Sequence, residues 1–394
     1  MANLEAAELS EIKEASLRLS EGAGSLAKRY FTSDVELGTE PRIKVIRGFR
    51  GVGKTTALLQ LLGGKAAYFS MDSPHVQKHR LYDVSRQLAR DGFNTLLVDE
   101  VHLYKDWKQE TKAIYDEFPS VSLVLSGSSP LAFEPERRFD IIEALPLSLR
   151  EFLHLKGESH AQSGAWADNG LALAYLAKNP GIYSAYSDYL RGGGFPSFLA
   201  YSGKTLPSIY YSMRKSIRED SVFFAKVGSD EVVAMEKALL FLASAKLGEF
   251  SANSLAGTLG VNKNKIYPLV SLLEGMGILR LVRPFGGGAK LVRGDPKLMF
   301  AHPNFRSAVC QQLGIAPDEG ALREELAVFC LSGRGYKVST AKGMKKSPDY
   351  IITKGRENAV VEIGGEGKGL AQMAGFKFRK ILITEKQLIP LAMY

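Results

Sequence analysis

The run Gly48-Phe49-Arg50-Gly51-Val52-Gly53-Lys54-Thr55 limits what this chain can fold into more than any other feature. It fits G-x-x-x-x-G-K-[ST] in full, with an apolar β-type stretch at 43–46 before it and a helical stretch at 54–62 after it. Glycines at these places let the backbone curl tightly and aim its N–H groups at phosphate oxygens, and the following helix adds the positive end of its dipole. Lys54 is placed to reach β- and γ-phosphates, and the Thr55 hydroxyl to hold Mg²⁺. The expected cradle is Gly48, Phe49, Arg50, Gly51, Val52, Gly53, Lys54, Thr55 and Thr56, with ATP and Mg²⁺ as its ligands.

Downstream, apolar runs at 66–70, 95–98 and 121–125 alternate with helical patterns at 79–90 and 107–117. That alternation predicts an α/β fold with a parallel sheet and right-handed crossovers. The second of these runs ends in Asp99-Glu100. Asp99, at a strand tip, suits the Mg²⁺ shell, and Glu100 suits polarising the attacking water as general base. The third run closes on Ser126-Gly127-Ser128-Ser129. Ligands of such sheets sit at the carboxyl ends of the strands. Ser126 and Ser128 are both candidates to sense the γ-phosphate or place water, and the sequence does not choose between them. Arg137 and Arg138 follow. An arginine lent to a neighbouring subunit's nucleotide would stabilise the charge developing on the transferred phosphoryl group. Arg191, beside Gly192-Gly193-Gly194, is the rival as a lid arginine acting in cis.

Around this core, residues 5–31 carry helical periodicity through Ile12, Leu17, Leu19 and Leu26. Residues 150–230 read as helices broken at 191–196. A helix at 234–245, the run 251–260, a helix at 262–276 and a basic stretch at 279–292 turning at Gly286-Gly287-Gly288 follow the order of a winged helix-turn-helix. Residues 320–394 read as a helix, strands at 336–339, 350–353 and 359–363, a helix, and a strand at 380–383. The expected division is a P-loop ATPase core at 1–149, a helical lid at 150–233, a winged helix at 234–310 and a small α/β domain at 311–394.

Composition removes several classes. A chain of 394 residues that is 45% hydrophobic and 24% charged is not disordered. Two cysteines, Cys310 and Cys330, exclude a disulfide scaffold and a multi-cysteine zinc site. No apolar run reaches the roughly 18 residues of a membrane helix, and the acidic, polar N-terminus has no secretory-leader pattern, so the expected location is cytoplasmic. Charge is uneven: residues 234–394 hold 23 Lys and Arg against 13 Asp and Glu, a net +10 where the whole chain is +9. A polyanion partner at 234–394 follows. Lys263 and Lys265 on the second helix, with Arg280, Arg283, Lys290 and Arg293 in the wing, would neutralise phosphates. Asn262, Asn264 and Tyr267 lie where a recognition helix begins, which points to duplex or branched DNA.

The segment from Gly48 to Ser129, with its GxxGxGKTT loop, LLVDE strand and SGSS turn, resembles the AAA+ ATPases, specifically the archaeal-type ATPase branch found in archaea and bacteria. Residues 144–153 match that branch's PLS-x-x-EFL segment, and Gly193-Gly194-Phe195-Pro196 matches its lid GGFP. Members often continue into a winged helix and a nuclease-like domain, so the resemblance spans the chain after residue 40. It implies an ATP-driven homo-oligomer with Lys54, Thr55, Asp99 and Glu100 in the roles given above. The C-terminal part departs from the active nuclease pattern, an acidic residue after a proline followed by Glu-x-Lys. Here Pro348-Asp349 and Glu362-Ile363-Gly364 occupy those places, with Glu325 as an extra carboxylate. Gly364 stands where the lysine is expected, and Lys368 is four residues further on, which implies an inactive nuclease fold kept for packing or DNA binding. The leading reading is an ATPase that translocates on or remodels DNA. The alternative is a nucleotide-gated switch with slow turnover and a protein-binding winged helix. An ATP-dependent nuclease is a third reading, against which Gly364 argues. A GTPase is disfavoured, because Asn262-Lys263-Asn264-Lys265 lies in the wrong domain and lacks the aspartate of Asn-Lys-x-Asp.

Overall fold

The computed structural model describes residues 6–40, 42–128, 130–247, 252–287, 294–341, 348–365, 373 and 375–394, which fall into two units, 1–145 and 146–394. In the first unit, β1 (Ile43–Arg47), β2 (Ala66–Ser70), β3 (Thr95–Asp99), β4 (Ser122–Gly127) and β5 (Phe139–Glu143) pair in parallel in the order β2-β3-β4-β1-β5. The three inner strands are buried almost throughout, as their continuous apolar runs require. The expected P-loop α/β sheet is therefore present. Its chain crosses through α2 (Lys54–Gln60), α3 (Leu81–Arg90) and α4 (Trp107–Glu117).

Two features of this unit differ from expectation. β5 was not anticipated, because Phe139-Asp140-Ile141-Ile142-Glu143 lacks a continuous apolar run. It is an edge strand that pairs in parallel with β1 and adds two ion pairs to that ladder. Register sets Lys44 beside Asp140 and Arg47 beside Glu143, and both pairs close, at 2.9 Å for Lys44 Nζ–Asp140 Oδ2 and 2.5 Å for Arg47 Nη2–Glu143 Oε1. The N-terminal helix, α1 (Ala6–Gly24), buries Leu9, Ile12, Ser16 and Ala23 and leaves Leu17 and Leu19 exposed, while Leu26 lies beyond its end, also exposed. Of the four residues that carry the expected periodicity, Ile12 alone is covered. Ser16 donates to the Tyr68 carbonyl of edge strand β2 and ties the helix to the sheet.

The second unit begins with helices: α5 (Leu149–Leu155), α6 (Asn169–Lys178), α7 (Ile182–Asp188), α8 (Ser197–Lys215) and α9 (Ser221–Ala225), with wide π-type turns at Tyr189–Gly193 and Ser216–Asp220. Ser148 caps α5 by accepting from Glu151 N at 3.1 Å, which gives the PLS-x-x-EFL segment its physical meaning as a helix start. Three helices follow, α10 (Ser229–Ser244), α11 (Ala252–Leu259) and α12 (Lys263–Gly275), then the antiparallel pair β6 (Leu279–Val282) and β7 (Lys297–Phe300). The second arm of that hairpin lies at 297–300, later than the expected 279–292. After α13 (Pro303–Leu313) and α14 (Glu319–Gly333) comes a mixed sheet of order β11-β10-β9-β8, formed by β8 (Lys337–Thr340), β9 (Tyr350–Lys354), β10 (Glu357–Ile363) and β11 (Arg379–Ile383). An unanticipated helix, α15 (Glu385–Ala392), closes the chain. A large hydrophobic core in this unit draws Phe152 and Tyr189 from the early helices, Met299 from the hairpin, and Phe329, Tyr350 and Leu391 from the C-terminal stretch. The expected helix between β10 and β11, and Ser129, Gly288, Lys290, Arg293 and Lys368, lie outside the described residues. No described helix is long and apolar enough to cross a membrane.

Candidate nucleotide-binding site

The loop between β1 and α2 takes its shape from glycine. Gly51 and Gly53 have φ of 82° and 95°, where a side chain is strained, and a Cβ at Gly48 would collide with the Ala144 carbonyl beyond β5. The loop curls around its own lysine: Lys54 Nζ, 5% exposed in the whole residue, donates to the Gly48 carbonyl at 2.9 Å and the Phe49 carbonyl at 3.0 Å. Phe49 and Val52 are buried beneath the loop, while Gly51 and Thr55 face outward. A residue outside the motif anchors it. Arg29, buried and lying 5.0 Å over the Phe31 ring, donates to the Val52 carbonyl and, at 2.8 Å, to the Leu145 carbonyl.

Facing the loop, the end of β3 presents Asp99 and Glu100. Asp99 is 2% exposed. Its Oδ1 accepts from Ser126 Oγ and from the Glu100 N–H at 3.0 Å, and its Oδ2 accepts from the Tyr68 hydroxyl at 3.2 Å. Burial raises the Asp99 pKa, against the pull of the Ser126 and Thr55 hydrogen bonds. Burial, then the Asp99 charge, pushes the Tyr68 phenol up as well. Glu100 has a left-handed backbone, with φ 48° and ψ 36°. Its Oε2 accepts from Ser128 Oγ at 3.0 Å and lies 3.2 Å from His102 Nδ1. His102 is buried, and that burial, then the charges of Arg50 and Lys54, lowers its pKa to about 3.

The strand register thus brings Lys54, Thr55, Asp99, Glu100, Ser126 and Ser128 to one end of the sheet. It also divides the two serines, Ser126 serving Asp99 and Ser128 serving Glu100. Thr55 and Asp99 are hard oxygen donors of the kind Mg²⁺ takes, and a buried carboxylate with a raised pKa gains from a cation beside it. Tyr68, His102 and Arg29 were missed by sequence reasoning. The Asp-Glu-Val-His run at 99–102 was the one available signal, for His102.

Other expected residues are placed differently. Arg138 precedes β5, at the amino end of the strands and away from the loop. It pairs with Asp116 at 3.0 Å over the Tyr115 ring, and Arg137 beside it is exposed. Arg191 pairs with Asp188. In the second unit, Arg280 is a correction: it turns inward, its Nη1 donating to Ser332 Oγ, because its hairpin strand faces α14. Lys265 pairs with Glu231 at 2.8 Å, Arg283 with Glu274 at 2.8 Å, and the Asn262 side chain caps α12 by accepting from Asn264 N at 2.9 Å. Asp349 and Glu362 interlock across β9 and β10, through Asp349 N to Glu362 Oε2 at 3.1 Å and Ile363 N to Asp349 Oδ2 at 2.8 Å. Glu325 does not serve as their third carboxylate, since its Oε1 is taken by Arg306 at 2.8 Å and by Phe300 N at 3.0 Å. Among the described residues no cluster of three or more His, Cys, Asp or Glu could hold a metal ion.

Comparison with known proteins agrees with the first unit. Residues 40–153 match the family model described as an AAA domain. Residues 183–318 match a domain of unknown function (DUF8612). A curated relative, Uncharacterized protein MJ1637 of Methanocaldococcus jannaschii, is 27% identical over 355 residues, which cover 81% of this chain and 75% of the relative. Among solved structures, a signal transduction ATPase with numerous domains, PH0952 from Pyrococcus horikoshii, aligns over 78% of this chain at 11% identity and a TM-score of 0.26. The present chain spans 46% of that protein's length. AMPPCP-bound DnaA from Aquifex aeolicus aligns over 66% of this chain and 86% of its own at 15% identity and a TM-score of 0.23.

Proposed function

We propose that this chain is a Mg²⁺-dependent ATP hydrolase whose second unit couples turnover to DNA, acting as an oligomer that moves along or remodels duplex or branched DNA. The observation that carries the hydrolase reading is the division of labour at the tip of β3. Asp99 is held by the Ser126 and Tyr68 hydroxyls on the side of Thr55, while Glu100, one residue on, turns its carboxylate onto Ser128. One acid is placed to hold a metal and the other to take a proton from water. Lys54 and the loop N–H groups would grip the phosphates, and Ser126 would hold Asp99 in place. Mg²⁺ bound at Thr55 and Asp99 supplies neutralisation of the phosphate charge. Arg137 and Arg138, far from the loop in their own unit, fit an arginine offered to a neighbouring subunit.

The net +10 of residues 234–394 supports a polyanion partner. The three helices α10–α12 followed by the β6–β7 hairpin support a winged helix. A second reading, a nucleotide-gated switch with a protein-binding winged helix, is favoured by one observation: Arg280, Arg283 and Lys265 are engaged inside their own unit. Phosphate release measured with and without linear, forked and four-way DNA separates the two. The DNA reading expects stimulation and binding that weakens steeply with salt. Slow turnover indifferent to DNA supports the switch. A nuclease is not proposed, since Gly364 stands at the lysine position and Glu325 is committed to Arg306.

A further inference from the structure

Glu100 and Lys226 are the two residues other than glycine that have positive φ among the described residues. A left-handed glutamate is unfavourable on its own and persists only where its surroundings fix it. Three contacts do so here. The Glu100 N–H is bonded to Asp99 Oδ1 at 3.0 Å, Ser128 Oγ donates to Oε2 at 3.0 Å, and the His102 ring packs against the same Oε2, its Nδ1 3.2 Å away but not aligned for a hydrogen bond. No donor among the described residues reaches Oε1.

His102 occupies a space that the sheet keeps open for it. It sits at 1% exposure in the short 3₁₀ turn Val101–Leu103 directly after Glu100. Gly127, at the end of β4, faces it. A Cβ there would fall 2.9 Å from His102 Nδ1 and would also strike the Phe133 ring. The missing side chain at 127 is therefore what lets the imidazole lie against the glutamate.

We propose that His102 is a positioning residue for hydrolysis: with Ser128 it fixes Glu100 Oε2 and so presents Oε1 to the attacking water. This inference rests on the ATPase reading above. A neutral imidazole suits the task, because its ring bounds the carboxylate's rotation without adding a positive charge that would weaken it as a base.

The test uses the full chain, with hydrolysis, binding of a fluorescent ATP analogue and crystal structures as readouts. His102→Ala is expected to lower kcat about 10- to 100-fold while the analogue Kd stays within about twofold. In the Glu100→Gln background, His102→Ala is expected to have no further effect. Gly127→Ala displaces the imidazole without removing it and is expected to reproduce the kcat defect, which guards against a His102→Ala protein that folds poorly. An equal fall in kcat with and without the Glu100 carboxylate would overturn the proposal, as would loss of analogue affinity in step with kcat. So would a His102→Ala crystal structure in which Glu100 keeps both its φ and its Ser128 contact. If the wild-type chain hydrolyses no ATP, the ATPase reading fails on its own. The crystal structure still decides whether His102 sets the Glu100 conformation.

Discussion

At Asp99 a single carboxylate accepts from Ser126, Tyr68 and a backbone N–H inside the protein. Burial lifts its pKa above the ordinary 3.8, so the folded chain keeps a proton that the unfolded chain has already lost. In the absence of metal, the stability Asp99 contributes is full below pH 3.8 and is lost as pH rises through the raised value. Mg²⁺ competes with that proton. Mg²⁺-dependent affinity for an ATP analogue should therefore weaken on acidification at a higher pH than an ordinary aspartate would give, and Asp99→Asn should lose both the affinity and its pH dependence. Titrations at a series of pH values check this. Lys54, Thr55, Asp99 and Glu100 were legible in the sequence because one short motif and one strand tip place them locally. Tyr68 was not, since its hydroxyl reaches Asp99 only through the pairing of β2 with β3. His102 depends on the empty side of Gly127, a contact between separate strands.

At the scale of elements, the loop is held by groups far away in sequence. Arg29 bonds to the Val52 and Leu145 carbonyls, so one guanidinium ties the phosphate loop to the last residue of the first unit. Arg29→Met should leave both carbonyls without this donor, cost about 2–4 kcal/mol in stability, and loosen analogue binding. Thermal unfolding and equilibrium binding measure the two effects. The inner strands were legible because burial on both faces writes a continuous apolar run. β5 was not, because Asp140 and Glu143 interrupt its apolar run, each pairing with a cation on β1. α1 was legible as a helix but not as a face, since Leu17 and Leu19 are as apolar as the residues it buries. The hairpin's second arm was misplaced because Gly286-Gly287-Gly288 reads as a tight turn, whereas the arms pair through Val282 and Lys297.

Across the whole molecule, charge is placed for two purposes that composition alone does not separate. Some of the cations behind the +10 are structural. Arg306 and Glu325 form a fully buried pair, and Arg306 Nη1 also donates to the Leu242 and Ala243 carbonyls at the end of α10, at 2.8 and 3.2 Å. Burial pushes the Glu325 pKa from 4.5 to about 7, against the pull of Arg306. Its stabilising contribution is therefore full below pH 4.5 and fades as pH rises towards 7. The melting temperature of the wild type minus that of Glu325→Gln should fall across this window, and an unchanged difference would contradict the assignment. The remaining exposed cations are the ones available to phosphates. Duplex binding should weaken about 10³-fold or more between 50 and 200 mM salt if six or more phosphates are contacted. Affinity that ignores salt would favour the switch.

The most direct measurement of the central claim is steady-state phosphate release from ATP with Mg²⁺ by the full chain, run beside Glu100→Gln and Lys54→Ala with analogue binding measured in parallel. The account predicts turnover in the wild type, a loss of about 10²-fold or more in Glu100→Gln with binding retained, and loss of binding in Lys54→Ala. Undiminished hydrolysis in Glu100→Gln, or full nucleotide affinity in Lys54→Ala, would contradict it.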